Sequence, residues 1–237
     1  DPYGGGEQAA YPWRGRITCH PAPGRPGSPN RSAAITGLVA DFCGTARAAD
    51  FDVSGTRVSY EGAGEGYRRM VLHYALLAAQ AGGVDGFLIG SELRGLTTLR
   101  DASDGFPFVE ALCSLAAEVR AILGSSAKIT YGADWSEYFG HHPADGSGDV
   151  FFHLDPLWAH PAIDAVGIDN YTPLSDWRDA DLENPNPDGF RLADDAGAMA
   201  RQITAGEGFD WFYASEADRA ARIRSPISDG LAGKPWV

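Results

Sequence analysis

The residues in this chain whose types could do chemistry gather at the ends of short apolar runs. Phe87 to Ile89 follows a Gly82-Gly83 break and stops abruptly at Gly90-Ser91-Glu92. This is the pattern of a buried parallel strand that delivers a carboxylate at its C-terminal end. In α/β barrels that end of the sheet carries the chemistry. Gly90 lets a backbone or a ligand approach closely, and Ser91 can hydrogen-bond whatever Glu92 touches. Glu92 can act in catalysis there; it can equally open the next loop or pair with Arg94. The run Lys128 to Ala133 repeats the logic and ends in Asp134-Trp135-Ser136-Glu137-Tyr138. Ile163 to Ile168 repeats it again and ends in Asp169-Asn170-Tyr171.

The elements that must position these groups follow from periodicity. Ala34, Ile35, Leu38, Val39 and Phe42 recur at helical spacing between a capping Asn30 or Ser32 and a terminating Gly44. Phe51 to Tyr60 alternates around Ser54-Gly55, which predicts a small hairpin. Tyr67, Met70, Val71, Tyr74, Leu77 and Ala78 mark an amphipathic helix ending at Gly82-Gly83, with His73 and Tyr74 read as core or interface residues. A second long helix is predicted over 107–123, closed by Gly124, with Cys113 inside it as a buried small hydrophobe. Helical patterns recur around 193–203 and 215–223, and Lys234-Pro-Trp-Val237 reads as the start of a fourth strand. Strand–helix units spaced by roughly forty residues predict a parallel α/β architecture, about half of a barrel. The expected organisation is one domain over 1–237, with 1–30 a long ordered loop because Gly and Pro dominate it.

That loop carries Tyr11, Trp13, Arg14, Arg16, Cys19 and His20. Trp13 suits a sugar-stacking platform, since a loop indole is hard to bury completely. Trp135, Tyr138 and Trp177 can stack on sugar faces or fill a barrel mouth. With 32 acidic against 19 basic residues the net charge is −13, which repels polyanions and argues against nucleic acid as a partner. Three widely spaced cysteines suit neither a zinc site nor a disulfide framework. His141, His142 and His153 with Asp145 and Asp149 sketch a metal cluster, but the spacing matches no known ligand pattern, so no metal and no cofactor are expected. No apolar window is long enough for a membrane span.

Four motifs carry a specific resemblance: Tyr11-Pro-Trp-Arg-Gly-Arg-Ile-Thr-Cys-His20, Phe87-Leu-Ile-Gly-Ser-Glu92-Leu-Arg94-Gly-Leu96-Thr97, Ala133-Asp-Trp-Ser-Glu137-Tyr-Phe-Gly140 and Gly167-Ile-Asp-Asn-Tyr171. Together they resemble the glycoside hydrolase/TIM-barrel-like domain of the tail-hub (megatron) proteins of gene transfer agents and related phage tails. The resemblance implies a TIM (β/α)8-barrel-like glycosidase fold, incomplete in this chain, because in that family further strands precede the Tyr11 loop and a later strand supplies a second Glu. More remotely the family resembles retaining glycosidases of the largest barrel clan. Carried over, Glu92 matches the acid/base position and Tyr171 the tyrosine that hydrogen-bonds the nucleophile. Ser91 stands where that clan usually has an Asn for the sugar 2-hydroxyl. Retaining hydrolysis needs a protonated carboxyl and an ionised one about 5 Å away. Only the first is visible here; the second is expected outside this chain.

The resemblance implies a domain of a phage-like tail particle that acts on, or grips, a cell-envelope polysaccharide, with other tail or baseplate proteins as neighbours. Asp134, Glu137 and Asp169 are expected in substrate-contact or framework roles, and Trp13, Ser91, Trp135, Asn170 and Trp177 complete the expected glycan-binding set. Two alternatives stand beside it. One is a structural or receptor-binding barrel without turnover, which the Ser91 departure favours. The other is a metal-dependent hydrolase built on His141, His142 and His153.

Overall fold

The structure is a computed structural model and describes residues 13–170, 174–203, 211–226, 228–229 and 234–235. The chain divides into two compact units, residues 1–170 and 171–237. The first is organised by a three-stranded parallel sheet in the order β3 (Gly86–Ser91), β4 (Lys128–Asp134), β5 (Gly167–Asp169). It is preceded by a helix α1 (Ala34–Cys43), an antiparallel hairpin of β1 (Phe51–Ser54) and β2 (Arg57–Tyr60), and a helix α2 (Tyr67–Gln80). Among the described residues the sheet does not close into a barrel.

One face of the sheet is covered and the other is not. Ile89, Ile129, Tyr131 and Ala133 join a single buried cluster with Ile35 and Val39 of α1, Val71 and Leu72 of α2, and the apolar stripe of α4 (Pro107–Leu123). That stripe is Phe108, Leu112, Leu115, Ala116 and Val119, spaced three and four apart. Pro107 at the first turn and Gly124 at φ 75° in the left-handed region bound the helix. Each large side chain so buried contributes about 1.5–3 kcal/mol. On the opposite face Leu88 is 54% exposed, and a Cβ placed on Gly132 would meet both Leu88 and the Asp169 carboxylate within 3.3 Å. These residues therefore share the face that a barrel would enclose.

The expected strand over 163–168 shortens to Gly167–Asp169. Before it, side chains take over the bonding to β4: the Asp164 carboxylate accepts the Ile129 N–H at 2.7 Å, and Thr130 Oγ1 donates to the Ala165 carbonyl at 2.7 Å. Arg120 of α4 holds the same Asp164 carboxylate, tying helix and sheet. Two short helices stand at strand ends, α3 (Arg94–Thr97) after β3 and α5 (Trp135–Tyr138) after β4. A further one, α6 (Asp155–Trp158), packs Leu157 into the core. All three cysteines are free thiols; Cys19 and Cys43 are buried and Cys113 is half-buried.

The second unit contains α7 (Ala196–Ile203), α8 (Glu216–Ala221) and two-residue antiparallel pairs, β6 (Trp211–Phe212) with β7 (Ser225–Pro226) and β8 (Ser228–Asp229) with β9 (Lys234–Pro235). Charge pairs hold much of it. Arg222 grips Asp181 with both terminal guanidinium nitrogens at 2.7 and 2.6 Å, and Arg224 grips Asp188 at 2.7 Å twice. Arg222 and the amide of Asn186 hold the Asp181 carboxyl well below the usual carboxylate range. Lys234, expected to begin a fourth strand, pairs antiparallel with Asp229 rather than extending the parallel sheet. The connection over 230–233 is too short for a parallel crossover, which needs a dozen or more residues.

The Trp13 loop presses its backbone closely onto α3. A Cβ on Gly95 would lie 2.5 Å from the Ile17 carbonyl oxygen and 2.7 Å from that of Gly15. Gly95→Ala should therefore destabilise the protein by roughly 1–3 kcal/mol in urea unfolding, because backbone must move. Gly37→Ala, on α1 with open space around it, should stabilise by about 0.5–1 kcal/mol.

Candidate functional site

A bulge in β3 sets the geometry. The register Leu88↔Thr130 becomes Ser91↔Gly132, so β3 fits one extra residue between the pairs. Ile89 points into the covered core, and a Cβ on Gly90 would clash with the Tyr67 hydroxyl at 2.1 Å. The bulge turns Ser91 onto the open face, where its hydroxyl donates to Asp169 Oδ2 at 2.5 Å. Glu92 then adopts φ 53°, a left-handed conformation that costs a residue with a side chain about 1–3 kcal/mol. It is held there by its own N–H on the Gly132 carbonyl at 2.8 Å and by the next N–H, of Leu93, on the Tyr131 hydroxyl at 2.7 Å.

The Glu92 carboxylate does not pair with Arg94, whose guanidinium donates to Ser136 Oγ at 2.9 Å. Instead the early loop folds over it. Trp13 Nε1 donates to Glu92 Oε2 at 2.8 Å and Arg14 donates to the same oxygen at 3.1 Å, leaving Glu92 only 4% exposed. Arg14 also reaches Ser91 Oγ at 3.1 Å. Trp13, Arg14, Ser91, Glu92 and Asp169, drawn from an early loop and two strands, thus form one hydrogen-bonded network at the carboxyl end of the sheet.

Beneath it lies Glu137, 0% exposed. Its carboxyl receives Thr97 Oγ1 at 2.5 Å, the Tyr131 hydroxyl at 3.0 Å and the Asp134 N–H at 3.1 Å. Burial pushes it up from its ordinary 4.5 to about 7; the three donors work against that rise and the neighbouring Asp134 charge adds to it. Tyr131 is raised well above its usual range, by burial first and then by the Glu137 charge. The Glu137 carboxyl is therefore closed off from solvent. Asp134 caps α5, accepting the Ser136 N–H at 3.0 Å. Trp135 on the same turn is 54% exposed.

The remaining expected site residues divide as follows. Asn170 is exposed at the end of β5. Trp177, in the second unit, is half-buried, with its N–H on Ser175 Oγ at 3.1 Å. Tyr11 and Tyr171 lie outside the described residues. His141 and His153 pack with Phe106 and Phe151 in an aromatic cluster, with Arg100 over the Phe151 ring at 4.7 Å. Burial pushes both imidazoles down to about 4. Among the described residues no group of three or more His, Cys, Asp or Glu side chains is arranged to hold a metal ion. No helix among them is long and apolar enough to cross a membrane. A groove of about 420 Å³ lined by Tyr60, Arg69, His73 and Tyr74, among others, contains none of the network residues.

Arg14 stood out in the sequence without a role, and only the fold shows its ion pair with Glu92. Tyr131 and Thr97 carried no signal, because a Tyr in a strand and a Thr after a Leu are ordinary core residues until Glu137 is placed between them. The model of the GTA TIM-barrel-like domain family matches residues 65–237. No curated protein matches the chain.

Glu137 makes a pH prediction with a definite sign. Its folded value lies above its unfolded one, so its contribution to stability is fully present below about pH 4.5 and is lost as pH rises through about 7. His141 and His153, both depressed, act oppositely between about 4 and 6.5, so the effect must be read as a difference. Stability of the wild type minus that of Glu137→Gln should fall by roughly 3 kcal/mol across the Glu137 window in urea unfolding series. A constant difference would contradict it.

Proposed function

We infer from its membership of the GTA TIM-barrel-like domain family, to which this chain belongs, that it engages a cell-envelope glycan at the carboxyl end of its sheet. The family is that of a gene transfer agent TIM-barrel-like domain, and a phage-like tail particle is the setting we propose for it. The observation that carries the glycan reading is Glu92: a strained acidic residue at a strand end, on a bulge, with an indole donating to its carboxylate. Backbone strain of this kind persists where surrounding structure over-determines it, and it concentrates at functional sites. An indole beside a carboxyl group supplies the two things a sugar ring needs, an apolar face and a hydrogen-bonding edge.

In this reading Glu92 is the acid that protonates the leaving glycosidic oxygen, and a second carboxylate attacks the anomeric carbon. Ser91, Asp169 and Asn170 contact the substrate, Asp134 sets the turn that presents Trp135, and Trp13 and Trp135 offer stacking faces. For Tyr171 the family resemblance implies the role of the tyrosine that hydrogen-bonds the nucleophile, and Trp177 offers a further stacking face. The loop carrying Trp13 and Arg14 must lift for Glu92 to meet a sugar, since both donors now cover it.

The Arg14–Glu92 ion pair at 3.1 Å favours a second reading, in which the domain grips glycan without cleaving it. A buried acid satisfied by a guanidinium is well placed to accept hydrogen bonds and poorly placed to donate a proton.

The two readings separate experimentally in the full-length protein presented with purified envelope polysaccharide. Hydrolysis that drops about 100-fold or more in Glu92→Gln, with binding retained, supports the acid role. Binding without turnover, weakened by Trp13→Ala, supports the gripping role. Hydrolysis undiminished in Glu92→Gln would sink the assignment of Glu92, and absence of any binding would sink the glycan reading.

A further inference from the structure

Glu137 has no contact with the proposed substrate, yet every hydrogen bond it makes is to a donor: two hydroxyls and one backbone N–H. That is the arrangement of an ionised carboxylate, which has no proton to give. Tyr131 has one hydroxyl proton, directed at Glu137, and its oxygen accepts the N–H of Leu93, the residue directly after Glu92. Thr97 Oγ1, the other hydroxyl donor, lies 3.5 Å from the Arg94 carbonyl oxygen.

A proton arriving on Glu137 needs an acceptor, and the Asp134 N–H cannot be one. If Tyr131 accepts it, its own hydroxyl proton must leave Glu137 and crowd the Leu93 N–H. If Thr97 accepts it, the Thr97 proton must turn to the Arg94 carbonyl. Either choice redraws a bond to the 92–97 turn.

We propose that Glu137 is a positioning residue for Glu92: through the hydroxyls of Tyr131 and Thr97 its carboxylate fixes the 92–97 turn, and its protonation shifts the seat of Glu92 under Trp13 and Arg14. The titratable groups that face it are Asp134, which caps α5, and Tyr131, with Tyr67 beyond it; the Arg94 guanidinium on α3 is directed to Ser136 instead. Burial brings the Glu137 equilibrium to about 7, so the device works near neutral pH. Its effect on glycan engagement rests on the function proposed above; the coupling between Glu137 and Glu92 does not.

The indole N–H of Trp13, bonded to Glu92, reports on this coupling without any activity. In proton–nitrogen spectra of the full chain, with the Trp13 signal assigned by Trp13→Phe, that resonance should titrate with a midpoint near the Glu137 value and lose the titration in Glu137→Gln. Tyr131→Phe, which deletes only the hydroxyl, should displace the resonance and weaken its pH response, and it carries the test alone should Glu137→Gln fail to fold. A Trp13 signal flat between about pH 5.5 and 8.5 in the wild type, or a titration unchanged in the variants, overturns the proposal. Glycan binding measured on the same samples keeps the two claims apart. A titrating Trp13 with no glycan affinity leaves the positioning intact and removes the function, whereas glycan affinity beside a flat Trp13 signal does the reverse.

Discussion

The carboxyl end of this sheet depends on one buried acid. Glu137 is withdrawn from water, at an energetic cost that would be several kcal/mol for an unpaired carboxylate, and that cost is offset only because three donors converge on it. Those donors come from β4, which supplies the Tyr131 hydroxyl and the Asp134 N–H, and from α3 after β3, which supplies the Thr97 hydroxyl. The consequence is mechanical: the two strand ends cannot move independently. Tyr131 extends the tie to the Leu93 N–H, and so the left-handed backbone at Glu92 is held from the residue that follows it. Removing the Glu137 carboxyl would leave the Tyr131 and Thr97 hydroxyls and the Asp134 N–H to find new partners in a dry core, which is the expensive side of hydrogen-bond energetics.

Above that tie, the strained Glu92 is over-determined from the other side by the Trp13 loop. Trp13 and Arg14 lie 79 and 78 residues earlier in the chain, and the contact survives because Gly95 allows the Gly15 and Ile17 carbonyls to press onto α3. The same contact both organises and covers the acid. The proposed catalytic and gripping roles of Glu92 therefore rest on the same geometry. The second unit is built on another principle, with Asp176, Asp181 and Asp188 threaded among Arg178, Arg222 and Arg224. Pairs of this kind fix geometry more than they add stability.

Much of this was legible in the amino-acid sequence, and the part that was not has a common cause. The 3.6-residue spacing of Leu112, Leu115 and Val119 places α4 to the residue, and the Phe87–Ile89 run followed by Gly-Ser-Glu correctly puts Glu92 at the end of a parallel strand. Three of the four motifs lie within residues 65–237, which the family model matches; the Tyr11–His20 motif precedes them. Periodicity failed where side chains replace the backbone ladder, as Asp164 and Thr130 do before β5. It also failed where a bulge breaks the alternation, since a strict period of two through Ile89 and Ser91 would put both on one face. Glu137 reads from sequence as a strand-end acid like Glu92, and nothing local distinguishes a carboxyl bound for solvent from one bound for the core. The difference lies in Tyr131 and Thr97, which meet it only through the fold. The Arg14–Glu92 pair is likewise a product of long-range closure, whereas the nearby Arg94 is the partner that sequence proximity suggests.

The most direct measurement is a crystal structure of the full-length protein soaked with an oligosaccharide released from the host envelope. The account predicts a sugar ring stacked on the Trp13 indole, the loop displaced from Glu92, and a glycosidic oxygen or hydroxyl within hydrogen-bond distance of the Glu92 carboxyl. A bound sugar seated elsewhere, with Trp13 and Arg14 still closed over Glu92, would contradict it.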